Sequence, residues 1–143
     1  MEDLSGIERR SCVRFQIPGS TVSYKYDKSL PFETKYIEEF CTLLDISRGG
    51  MRFLSRNQIK ALNEVELKLL IPGERIPLKL KGIVRWFTSH PDKNNRYQIG
   101  VQFNPYGEKK SQNYPGILVK LISLEQKFSD KDESKIHDNY EVE

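Results

Sequence analysis

From Val13 onward, apolar residues alternate with polar ones at the period of a half-buried strand. Val13, Phe15 and Ile17 share one parity and Arg14 and Gln16 the other, up to the turn signal Pro18-Gly19. Val22, Tyr24 and Tyr26 repeat the pattern. From Lys35 to Ile46 the alternation is imperfect, so a strand is expected there, although Tyr36 to Phe40 also suits the start of a helix. Met51 and Phe53 continue beyond Gly49-Gly50 and fold back on that strand, while residues 55–63 lose the alternation and have room for a short helical turn. Val65, Leu67, Leu69 and Ile71 alternate up to Pro72-Gly73. Ile76, Leu78, Leu80, Val84 and Trp86 keep one parity with Gly82 among them. This predicts a long strand with a bulge or bend at Gly82 and with Trp86 in the core. Tyr97, Ile99, Val101 and Phe103 form its partner across a polar loop.

The period then changes from two to about 3.6. Ile117, Leu121, Leu124 and Phe128 share a helical face widened by Leu118 and Ile122, with Asn113 as a candidate cap and Pro115 in the first turn. Residues 129–143 are mostly charged or small and are expected to form a disordered tail. Residues 1–8 are polar and aperiodic and are expected to form a flexible arm. Residues 9–128 then hold six or so antiparallel strands and one amphipathic helix, the composition of a small β-barrel plugged or flanked by that helix.

Composition narrows the functions available. A chain of 143 residues with 37% hydrophobic and 30% charged residues suits one domain with solvated ends. The net charge of +3 argues against a grip on long nucleic acid by counterion release. The longest aliphatic runs, Leu69-Leu70-Ile71 and Ile117-Leu118-Val119, are too short to enter a membrane, and with no signal-like N-terminus the expectation is a cytoplasmic protein. Cys12 and Cys41, with His90 and His137, offer no metal-ligand spacing, and reduced thiols are expected. No activated nucleophile, paired acid or phosphate-cradling glycine loop is evident, so no enzyme activity and no cofactor are expected.

Two stretches carry the candidate chemistry. Arg9, Arg10 and Arg14 place three guanidiniums near the N-terminus without a lysine among them. Arginine pairs bidentately with phosphate or with guanine O6/N7 and stacks on bases, whereas lysine supplies only the charge. Asp45 and Ser47 lie two apart, on one side of an extended strand, and Gly49 and Gly50 let the backbone turn or approach a ligand. Separately, each is commonplace: a basic arm is usually solvated, and an Asp-x-Ser pair often only closes a turn.

Together, Arg10-x-x-x-Arg14 and Asp45-x-Ser47-x-x-Gly50 resemble the paired signature of PilZ domains, bacterial receptors for cyclic di-GMP. The resemblance runs from about Glu8 to Phe128 and includes Ile99-Gly100-Val101-Gln102-Phe103. It implies a six-stranded antiparallel barrel with a C-terminal α-helix. It also implies that Arg10 and Arg14 hold phosphate and a guanine Hoogsteen edge, that Asp45 accepts from guanine N1/N2 and that Ser47 reaches phosphate or base. Gly50, with Gly49, would leave the shelf open. Arg9, placed to stack on a base, would favour an intercalated pair of ligands. The implied function is a cyclic di-GMP effector whose arginine arm closes on the ligand and alters contact with a downstream protein. Two alternatives are a PilZ-like interaction module that binds no nucleotide and a small barrel for single-stranded nucleic acid.

Overall fold

The computed structural model describes residues 13–27 and 35–142, with side chains through 129. The alternating segments form β1 (Thr21–Tyr26), β2 (Glu38–Ser47), β3 (Gly50–Ser55), β4 (Glu64–Leu70), β5 (Leu78–Phe87) and β6 (Tyr97–Phe103), and the change of period marks α1 (Pro115–Val142). Every neighbouring pair is antiparallel, and the order β1-β2-β3-β6-β5-β4 closes on itself. This is the six-stranded antiparallel barrel with a C-terminal helix expected from the sequence. The inward parity of each strand fills it: Met51 and Phe53 from β3, Val65, Leu67 and Leu69 from β4, and Ile99, Val101 and Phe103 from β6 are buried. Closure gives each of the six strands a neighbour on both sides.

Because neighbours are antiparallel, the β2–β3 and β4–β5 connections lie at the same mouth of the barrel. The helix α1 closes that mouth. Leu121 and Leu124 are buried in the common core, and ion pairs from Lys120 to Glu74 (2.9 Å) and from Arg48 to Glu125 (3.1 Å) tie the helix to both connections. The backbone remains helical through 129–142, where the sequence reading placed a charged tail. No glycine or proline follows Gly116, and the Glu and Lys in this stretch are compatible with helix.

Four local expectations change. Val13–Ile17 is not a full strand: only Phe15 bridges, to Ile46, because the Pro18-Gly19 turn (Gly19 φ +81°) sends the chain at once into β1. Beyond Thr42, which faces the first residue of β1, that short segment takes over the free side of β2. Phe40 lies inside β2 with φ +61°, at a register shift that makes its neighbourhood a bulge and not the start of a helix. Among the described residues, 55–63 holds no helix; its turn is made by Leu62 at φ +73°. Finally, Gly82 is in register on both sides, and the bulge of β5 falls between Val84 and Trp86.

Candidate functional site

A two-residue turn, Arg48-Gly49, joins β2 to β3 and pairs Ser47 with Gly50. Two residues back, the same register pairs Asp45 with Arg52 on the outer face. There Arg52 Nε donates to both Asp45 oxygens (3.1 and 3.0 Å), and its Nη2 donates to Oδ2. This hydrogen bonding raises the Arg52 pKa still further above that of an ordinary guanidinium, so its charge is permanent. Reciprocal backbone bonds between Phe15 and Ile46 (3.0 Å each) lay the N-terminal segment beside the end of β2. Arg14 then stands opposite Ser47, and its Nη1 donates to Asp45 Oδ1 at 3.1 Å.

Asp45 is therefore the shared anion of two guanidiniums that reach it from different segments. It is buried, while Arg14 keeps 54% of its side chain exposed and Arg52 keeps 36%. A carboxylate offers about four acceptor positions, and three donor atoms already occupy this one. Its clearest capability is to position the two arginines. Ser47 is also buried, and its Oγ accepts from the Gly49 N–H (3.2 Å), which closes the turn. A Cβ on Gly50 would lie 2.3 Å from the Val101 carbonyl oxygen, so glycine is required there by the approach of β6.

Arg14, Ser47, Gly49, Gly50 and Arg52 line one side of a shallow groove of about 170 Å³ on the outside of β3, β6 and β5, with Asp45 behind the two arginines. The other side is built by the β5 bulge. Register passes from Val84 opposite Val101 to Trp86 opposite Gly100, so Arg85 is the extra residue and the parity of the strand inverts. Trp86 is therefore not a core residue: it lies outside, 41% exposed, while Phe87 packs against the core. The indole lies directly on β6, where a Cβ on Gly100 would meet it at 2.3 Å. Alternation alone places Trp86 inside. The contrary signal was the adjacent pair Trp86-Phe87, of which a strand can turn only one inward.

The structure thus brings Arg14, Asp45, Ser47, Gly49 and Gly50 together. Arg9 and Arg10 lie outside the described residues. Sequence reading missed Arg52, Arg85 and Trp86. Arg52 was legible in principle, because counting outward from a two-residue turn pairs it with Asp45. Among the described residues no cluster of three metal-ligating side chains occurs, and no helix is long and apolar enough to cross a membrane.

The opposite mouth carries a separate polar cluster. Glu38 accepts from Ser55 Oγ (2.6 Å), Arg56 N (2.9 Å) and Asn57 Nδ2 (3.2 Å), and the Tyr24 hydroxyl lies 3.4 Å away. Burial alone would raise the Glu38 carboxyl, but those donors outweigh it and hold the group below the ordinary carboxylate value. Burial pushes the Tyr24 phenol up to about 12, and burial beside Glu38 also pushes the Cys41 thiol up, away from reactivity. The bonds of this cluster join β2 to the end of β3, which is a fold-stabilising arrangement.

The family model for the PilZ domain matches residues 8–114. The chain belongs to the PilZ domain family. No curated protein matches it in sequence. Among solved structures, the Bacillus subtilis inhibitor of motility (MotI/DgrA) is similar, with 17% identity and a TM-score of 0.59 over 89% of this chain. That likeness is one of fold, and this PilZ chain spans about half the other's length, 52%.

Proposed function

We propose that this PilZ chain is a non-catalytic receptor for cyclic di-GMP whose N-terminal arginines close over the ligand. The observation that carries the reading is the 3.1 Å contact of Arg14 with Asp45, which joins the two halves of the family signature at one groove. Membership of a family whose members are generally cyclic di-GMP receptors supports it further.

The chemistry follows from the groove. Arg14 and Arg52, oriented by Asp45, offer guanidinium edges to phosphate oxygens or to guanine O6/N7. The exposed face of Trp86 offers a stacking surface for a base. At about 170 Å³ the groove is smaller than the roughly 300–1,000 Å³ usual for ligand pockets, so a dinucleotide lies across it and needs a cover. In this reading Arg9 and Arg10 supply that cover, and Arg9 would favour two stacked ligands per chain. Closure of the arginines on the ligand would change the surface around the β2–β3 turn, and a downstream protein would read that change.

Calorimetric titration with cyclic di-GMP, against GMP and cyclic di-AMP, tests the reading. The expected result is selective binding, with Arg14→Ala lowering affinity at least tenfold. Because a half-exposed ion pair contributes only about 0–1 kcal/mol, that variant keeps its unfolding midpoint nearly unchanged. No heat at tens of micromolar ligand with folded protein refutes the reading.

A further inference from the structure

The β5 bulge presents a second element of recognition that the family signature does not contain. Arg85, its extra residue, is exposed on the groove, and its Nε donates to Gln102 Oε1 at 2.7 Å. Gln102 pairs with Gly50 across β3 and β6. Arg85, Gln102 and Gly50 therefore form a row across three strands that ends at the Ser47–Gly50 turn.

That row has a one-sided chemistry. Arg85 takes one of the two lone pairs of the Gln102 amide oxygen, so the amide keeps both NH2 donors and a single acceptor position. Arg85, fixed through Nε, still carries its terminal Nη donors, and a guanidinium has no acceptor. Donors in excess of acceptors, beside a positive charge and next to a flat indole face, favour an anionic oxygen of a ligand that also carries a planar base. Bulges commonly re-aim a side chain in this way next to functional sites.

We propose that Arg85 binds a phosphodiester of the ligand from the β5 wall, opposite Arg14 and Arg52, and that Gln102 acts as its positioning residue. The inference rests on the reading of the groove as a cyclic di-GMP site and extends it: a nucleotide stacked on Trp86 has its phosphate held by the residue next to Trp86 in sequence. Gripping one ligand from both walls also accounts for recognition by a groove too shallow to enclose it.

The test is calorimetry of cyclic di-GMP binding to the full chain and to Arg85→Ala, Arg85→Lys and Gln102→Ala, each at low and high salt. Arg85→Ala is expected to lose at least tenfold in affinity and part of the salt dependence, because one solvent-accessible charge contact is gone. Arg85→Lys restores the salt dependence but only part of the affinity, since lysine keeps the charge without the fork. Gln102→Ala loses a few-fold in affinity and keeps the salt dependence. Arg85→Ala binding within twofold of wild type, with wild type binding well, overturns this inference alone. A wild-type chain that does not bind overturns the groove reading and this inference with it.

Discussion

Trp86 shows how one residue of insertion decides what a side chain is for. Its parity along β5 matches Leu80 and Val84, yet the extra residue at Arg85 turns it outward onto Gly100. Stacking of a base on an aromatic side chain is worth roughly 1–3 kcal/mol, so Trp86→Ala should weaken cyclic di-GMP binding by roughly five- to 150-fold. A partly exposed surface indole contributes little to the core, and thermal unfolding of the variant should stay close to wild type. The site residues were legible to different degrees for physical reasons. Asp45, Ser47 and Gly50 sit on a short turn whose spacing fixes their geometry, and Arg14 follows from one bridge. Trp86 and Arg85 depend on a bulge, whose one mark in the sequence is the adjacent pair Trp86-Phe87, and that pair does not say which ring turns inward. Gly82 drew the bulge expectation because glycine is frequent at bulges, but here it serves close approach: a Cβ would lie 2.6 Å from the Gln102 carbonyl oxygen.

At the scale of elements, the β2–β3 hairpin has chemistry at both of its ends. The turn end carries Asp45 and Arg52, and the open end carries Glu38 and Ser55, which close the other mouth. Glu38 is held below its ordinary value of 4.5, so its ionised form is favoured by folding. The sign follows from linkage: its contribution is full above about pH 4.5 and is lost as pH falls through the lower folded value. Glu38→Gln should therefore be less stable than wild type at neutral pH, with the difference narrowing as pH falls from about 5 to 3. Denaturant midpoints measured across that range check it. Strand existence was the most legible feature of the sequence, since β4 and β6 alternate without interruption. The imperfect stretch before Ile46 was harder to read, because Phe40 adopts a left-handed backbone that its side chain does not announce.

For the whole molecule, the helix and the ligand turn share one mouth. Leu121 is fully buried there, and Glu125 holds Arg48 within the turn that follows Ser47. Leu121→Ala removes a plug from the core and should cost about 2–5 kcal/mol, read from the free energy of denaturant unfolding. The barrel-plus-helix fold was predictable because period and turn signals agree at most connections, which is the consistency that specifies one structure. How far α1 runs was not, since a charged stretch argues against a core and leaves its backbone conformation open.

The groove contains the chain's one tryptophan, so the molecule reports on its own site. Titrating cyclic di-GMP into the full chain while following Trp86 emission tests place and ligand together. Saturable quenching by cyclic di-GMP, absent with cyclic di-AMP and lost in Arg14→Ala, is the result this account predicts. Emission that stays unchanged up to tens of micromolar cyclic di-GMP, in protein shown to be folded, would contradict it.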